Sequence, residues 1–236
     1  MPNVLIIAPH PDDEVLGCGG TIARLAREGQ KVTVAIITKG SPPLFPASKV
    51  RQVRAEARKA NKLLGVRTLL FLDLPVTSLH LMPEHKLNKV FCDLIDKVKP
   101  TTVFLPFSGD RHEDHRQVFD AAMVAMRPDR RRTLVTRICC CETVSETHWT
   151  APGVEPSFEP NWYVDITRTL DDKLSAMRLY KSQLAERIPA RSIEAIEALA
   201  RFRGSIVGMG AAESFCVVRD LWPAARARSS SKKTRR

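Results

Sequence analysis

Two clusters of histidine and carboxylate, each set at the end of a short apolar strand, constrain this chain more than any other feature. The first is Pro9-His10-Pro11-Asp12-Asp13-Glu14, directly after Val4-Leu5-Ile6-Ile7-Ala8. The second is Asp110-Arg111-His112-Glu113-Asp114-His115, which follows the strand Val103-Phe104-Leu105. One imidazole and three carboxylates packed into so few residues are costly to hold together unless a cation lies between them. A metal is the natural cation. Two such clusters at two strand ends suggest one shared site, and an enzyme.

The pattern around the clusters alternates between strand and helix. Strands are expected at Asn3–Ala8, Lys31–Thr38, Arg67–Leu72, Thr101–Leu105 and Thr136–Cys141, and helices at about Val15–Arg27, Lys49–Leu64, Pro83–Val98 and His112–Met126. Gly29 and Gly65 serve as helix stops. Continuous Val/Ile runs fit strands buried on both faces. The order predicts an α/β fold, a mostly parallel sheet with helices on both faces. Ligands in such sheets gather at the carboxyl ends of the strands, near the switch point, where both clusters lie. Beyond residue 142 a short strand is expected at Trp162–Ile166, helices at Thr169–Leu184 and Arg191–Arg203, and a last strand at Phe215–Val218. These read as a C-terminal extension of a single domain over residues 1–222, followed by a basic tail over 223–236. Gly17-x-Gly19-Gly20 has the wrong spacing for a dinucleotide loop.

A length of 236 residues suits one or at most two domains. No apolar run approaches the ~20 residues of a membrane span. The chain enters a strand at once, without a basic leader, so a cytoplasmic protein is expected. Six cysteines lack C-x-x-C spacing and read as small buried hydrophobes in a reducing setting. The net charge is +11, but residues 226–236 hold six of the cations and no acid, which leaves +5 on the body. The tail reads as a solvated segment, and no nucleic-acid partner is expected. Arg130-Arg131-Arg132 reads as an exposed loop.

His10 and Asp13 stand three apart on a turn entering a helix, so both side chains can meet at one centre. With one further imidazole they make a set of three ligands, and a fourth position left to water is the layout of catalytic zinc. Asp12 faces the other way around the turn and is placed to take a proton from that water. His112 and His115 are also three apart, and spacing alone does not say which is the ligand and which donates to an oxyanion or a leaving amine. Asp110 or Asp114 can fix the tautomer of one of them. The competing reading makes the acids helix N-caps. Capping explains one acid at each end, but not the paired histidines. His80, His85 and His148 read as core or surface residues.

At these residues the chain resembles the PIG-L/LmbE-like family of zinc-dependent N-acetylglucosaminyl deacetylases. The family's A-H-P-D-D-E motif stands here as Pro9-His10-Pro11-Asp12-Asp13-Glu14, and its H-x-D-H motif as His112-Glu113-Asp114-His115. Glu56-x-x-x-Ala60-x-x-x-Leu64-Gly65 is similar to its second helix; Tyr163-Val164-Asp165-Ile166, Lys173, Tyr180-Lys181-Ser182-Gln183 and Ala212-Glu213-x-Phe215 are similar to its C-terminal half. The resemblance implies a Rossmann-like sheet. It also implies zinc ligands His10, Asp13 and His115, a general base Asp12, and an oxyanion-stabilising or acid His112 supported by Asp114. Arg54 (or Arg51) lies near the family's substrate-contacting Arg, one position off. Leu74-Pro75-Val76 departs from the family's frequent P-D. The implied reaction removes an N-acetyl group from an N-acetylglucosamine-type sugar or glycoconjugate, with Zn2+, or Fe2+ in the same donor set. An amidase for a thiol-glycoside conjugate would share that chemistry, and a binding protein using the basic tail is the alternative from another class. Some family members are homo-oligomers.

Overall fold

The computed structural model describes residues 3–129, 135–150, 153–184 and 189–222. The chain forms one seven-stranded sheet in the order β3-β2-β1-β4-β5-β7-β6. The strands are β1 Asn3–Ala8, β2 Lys31–Lys39, β3 Thr68–Pro75, β4 Thr102–Pro106, β5 Arg137–Cys141, β6 Trp162–Asp165 and β7 Ala212–Asp220. The first five run parallel, with β1 paired to β2 on one side and β4 on the other. β7 joins β5 antiparallel, and β6 closes the edge antiparallel to β7. The C-terminal extension is therefore part of the same sheet. The helices are α1 Asp13–Arg27, α2 Ala47–Leu63, α3 Glu84–Val98, α4 Glu113–Ala125, α5 Leu170–Leu179 and α6 Ile193–Ile206.

Alternation along the central strands divides the core in two. Val4, Ile6, Val34, Ile36, Phe104 and Cys139 face α1, α2, α5 and α6. Leu5, Ile7, Ala35, Ile37, Val103 and Cys140 face α3 and α4. Both faces are covered, which is why these strands carry almost no polar residues. Each fully buried Phe or Leu side chain contributes roughly 1.5–3 kcal/mol. Phe104 meets Phe215 edge-on at 5.0 Å and Trp162 at 6.2 Å, tying the parallel and antiparallel parts together.

The glycines of α1 serve packing. A Cβ at Gly17 would lie 2.8 Å from the Cβ of Cys141, and one at Gly20 within 2.8 Å of three Ile166 atoms. The helix thus lies directly on β5 and the end of β6. Lys173 of α5 closes the same seam, donating to the Leu16 carbonyl at 2.8 Å and pairing with Glu213 of β7 at 2.6 Å. Glu213 also accepts from the Gly20 and Thr21 amides.

Four expected elements change by three residues or more; β3 runs on past Leu72 to Pro75 and α6 past Arg203 to Ile206. The helix expected to reach Leu184 ends at Leu179, because Tyr180 turns into the core toward Glu14 and the Ser182 amide turns to Glu56. The last strand is longer than expected, running from Ala212, since β6 supplies a partner for its first half. The basic tail and Arg130–Arg132 lie outside the described residues. No described helix is long and apolar enough to cross a membrane.

Candidate metal centre and active site

The sheet's strand order reverses at β1, whose neighbours are β2 and β4, and both clusters leave the sheet beside this point. Between β1 and α1 the chain turns through His10, Pro11 and Asp12. Asp12 sits in the left-handed region at φ 113°, a strained conformation for a residue with a Cβ, costing on the order of 1–3 kcal/mol. Glu14 accepts from its amide at 3.1 Å, and the Val15 and Leu16 amides donate to its carbonyl at 2.9 Å. Glu14 is held in turn by Asn61 at 2.8 Å and by the Tyr180 hydroxyl. This buried network fixes the turn. It sends Asp13 toward β4 and leaves the Asp12 side chain on the wall of a cleft.

The second cluster is arranged by the entry to α4. His112 occupies the N-cap, its Nδ1 accepting from the Asp114 amide at 3.1 Å. With Nδ1 engaged as acceptor, the neutral ring carries its proton on Nε2, and His112 lines the cleft. The helix-cap reading of the acids does not hold: Asp12 makes no side-chain cap bond, and the cap of α4 is a histidine.

The clusters meet at Asp13. Its Oδ2 accepts the His10 amide at 2.8 Å and lies 3.2 Å from His10 Nδ1 and 3.2 Å from His115 Nε2. Each imidazole has a carboxylate at its other nitrogen. Asp114 Oδ2 lies 3.0 Å from His10 Nε2, and Asp110 Oδ2 lies 2.7 Å from His115 Nδ1. Those carboxylates are anchored by the Thr77 amide at 2.8 Å and the Thr147 hydroxyl at 2.7 Å. A carboxylate on one ring nitrogen directs the lone pair of the other inward, as in carboxylate–histidine–metal sites. His115 Nε2 is buried and has no hydrogen-bond partner. Donor atoms of His10, Asp13 and His115 all lie within 4.8 Å of one another, and so do those of His10, His112 and Asp114. The orphaned Nε2 and the N/O donor set of the first group fit a divalent cation.

The electrostatics point the same way. Burial opposes a charged His115, but Asp13 and Asp110 outweigh it and push the pKa up to about 10. Positive charge is thus favoured between these carboxylates. Burial raises Asp12 to about 8 against the pull of Arg191, so with no cation beside it the carboxyl is mostly protonated at neutral pH; a cation held on the neighbouring Asp13 would lower it and give the carboxylate that a base requires. Burial, helped by His10 and His115, lowers His112 to about 4, so at neutral pH it is an uncharged N–H donor.

The cleft has a volume of about 430 Å³ and runs from His10, Asp12 and His112 to α2. Arg54 lines it, stacked 4.1 Å over Phe71 and paired with Asp73, whereas Arg51 is not on its wall. Where Pro75-Val76 departs from the family's P-D, Val76 and Thr77 form the wall. The resemblance assigns Asp114 to the support of His112. Here only its backbone reaches that ring; its carboxylate serves His10, because the first turn of α4 points it at the loop carrying Thr77. Arg191 was not legible as a site residue. It follows Pro189 in a short 3-10 turn and reaches within 3.4 Å of Asp12 Oδ2, bracing on the Ser145 hydroxyl and Glu146. No motif marks it, since only the tertiary fold brings it across the cleft. His80 and His85 are exposed, and His148 pairs with Glu142 at 2.6 Å.

The family model described as GlcNAc-PI de-N-acetylase (PIG-L) matches residues 5–126, a span that holds both clusters. Diacetylchitobiose deacetylase of Thermococcus kodakarensis is 31% identical over 78% of this chain and 71% of its own length. An uncharacterized deacetylase of Escherichia coli, YaiS, is 30% identical over 76% of this chain and 91% of its own. Among solved structures, N,N'-diacetylchitobiose deacetylase from Pyrococcus horikoshii superposes with a TM-score of 0.73 at 25% identity, covering 91% of this chain and 82% of that one.

Proposed function

The chain belongs to the PIG-L family of GlcNAc-PI de-N-acetylases, and from that premise we propose that it is a zinc-dependent hydrolase removing the N-acetyl group from an N-acetylglucosamine-type sugar or glycoconjugate. The observation that carries this reading is the meeting of His10 and His115 on Asp13 beside the cleft that Asp12 lines. His10 Nδ1, Asp13 and His115 Nε2 would hold the ion, with Asp114 and Asp110 fixing the two rings. A cation there polarises an amide carbonyl and makes water more acidic. The donor set suits zinc, and iron fits the same set.

The remaining roles belong to the chain. Asp12, held on the cleft wall by the strained turn, takes the proton of the attacking water as its oxygen bonds to the carbonyl carbon. Arg191 keeps that carboxylate aimed into the cleft. The Nε2–H of His112 donates to the carbonyl oxygen as negative charge builds on it, an interaction of about 3–4 kcal/mol in comparable sites. The proton on Asp12 then passes to the sugar nitrogen as the C–N bond breaks, giving acetate and the free amine. Arg54 contacts the substrate from α2. The six free thiols support a reducing, cytoplasmic setting.

The test is acetate release by zinc-loaded protein from a panel of N-acetylglucosamine conjugates, with chelated protein as control. Release that needs the metal and is abolished in Asp12→Asn supports the reading. Fully loaded protein that releases no acetate from any conjugate overturns it.

A further inference from the structure

The cleft is chemically divided along its length. At one end stand His10, Asp12 and His112; the other end lies between the loop after β2 and the first turns of α2. The outer end has an apolar wall, formed by Phe45, Val50, Val53 and Phe71. Phe45 is 39% exposed, unusual for a side chain in such a well-built position. Its place is fixed from beneath: a Cβ at Gly40 would lie 2.7 Å from the Phe45 ring, so only glycine lets the ring rest on the backbone. The Phe45 amide also donates to the Ser41 carbonyl at 3.0 Å.

The charges on the lining are unbalanced. Among the described residues of the lining, Asp12 is the only carboxylate, while Lys39, Lys49, Arg54 and Arg191 are cationic. Two of the four are matched, Arg191 by Asp12 and Glu146 and Arg54 by Asp73. Among the described residues, Lys39 and Lys49 have neither a hydrogen bond nor an ion pair to any side chain. Lys39 is the last residue of β2, in register with Pro75, and its carbonyl accepts from the Val76 amide at 3.3 Å, so its backbone is paired to the end of β3. Uncompensated ammonium groups beside low-dielectric walls focus a positive potential into a cleft. A neutral sugar in the outer half would gain nothing from that field.

We infer that the outer half of the cleft is a subsite for an aglycone with an apolar body and an anionic group, the body lying on Phe45 and Val53 and the anion reached by Lys39 and Lys49. This rests on the N-deacetylase reading for the placement of the sugar at the inner end. The anion can be a carboxylate or a phosphate, since a lysine serves either as a point charge.

The experiment uses the metal-loaded enzyme with three N-acetylglucosaminides whose aglycones are para-carboxyphenyl, para-phosphonooxyphenyl and the neutral para-carbamoylphenyl. The ratio of kcat/KM for each anionic substrate to the neutral one is read at low and high salt. Binding of the three corresponding glucosaminides is measured by calorimetry on the same protein. The expected ratio is about tenfold or more at low salt and shrinks as salt is added. The larger of the two anionic ratios identifies the anion. In the double variant Lys39→Gln/Lys49→Gln both the rate ratio and the binding ratio fall to about one. A wild-type ratio near one in both rate and binding overturns the inference, and so does a ratio that survives the double variant. Acetate release with no anionic preference removes this subsite alone. Lysine-dependent anionic binding without acetate release from any substrate keeps the subsite and removes the deacetylase reading.

Discussion

His115 Nε2 lies 3.2 Å from Asp13 Oδ2, although β2, β3 and β4 all intervene between them in the chain. The contact exists because β1 and β4 are neighbours in the sheet while β2 and β3 are built outward on the other side. One change in the direction of strand addition is enough to place two distant turns against each other. The two residues share an environment of carboxylates that favours a cation.

Asp12→Asn should keep bound metal and lose acetate release by about a hundredfold or more, the usual weight of a positioned base. Metal content and kcat on one preparation check this. Loss of metal together with rate would mean that Asp12 serves the ion rather than the water.

His115→Ala and His112→Ala should separate two roles. The first removes a proposed ligand and should empty the site at metal concentrations that saturate the wild type. The second should leave metal content intact while lowering kcat by about 10²–10³-fold, as for loss of an oxyanion donor. Equal metal loss in both variants would contradict the assignment.

Asp110→Asn and Asp114→Asn each remove a carboxylate that contacts a proposed ligand histidine from its far side. Metal affinity should fall about 10–100-fold in each, without loss of the fold. Competition against a chromophoric chelator measures it. If only Asp110→Asn has an effect, the ring of His10 is oriented by something other than Asp114.

Acid stability should depend on Glu142, which lies away from the metal centre. Burial pushes its carboxyl up, but hydrogen bonds from His148, Arg203 and Ser214 and the Arg203 charge more than reverse this and hold it at about 2, below its ordinary 4.5. A carboxyl depressed on folding adds stability above its unfolded pKa, and that contribution fades as pH falls from about 4.5 toward 2, by at most about 3 kcal/mol. Glu142→Gln should therefore be less stable at neutral pH and show a shallower acid decline in urea midpoints. Parallel declines for the two proteins would count against it.

Much of this was legible in the sequence because it depends on local pattern. Continuous apolar strands announced a sheet covered on both faces, and two His/Asp clusters at strand ends announced one site. The choice between His112 and His115 was not legible from spacing, because three residues of separation serves either assignment. In the structure the N-cap geometry occupies His112 Nδ1, while the Nε2 of His115 is buried without a well-formed hydrogen bond and faces Asp13 Oδ2 at 3.2 Å. The service of Asp114 to His10 depends on the loop carrying Thr77, and the approach of Arg191 to Asp12 on how the C-terminal segment crosses the cleft. Both are products of tertiary packing with no local signature. The glycines of α1 resembled a nucleotide loop by composition, yet they allow Cys141 and Ile166 to lie directly against the helix.

The most direct measurement is anomalous diffraction from crystals of the metal-loaded protein, collected on either side of the metal's absorption edge. A single strong peak is expected within bonding distance of His10 Nδ1, the Asp13 carboxylate and His115 Nε2, with Asp12 close by but not bonded. A peak bonded instead to His112 and Asp114, or no peak at this place at saturating metal, would contradict it.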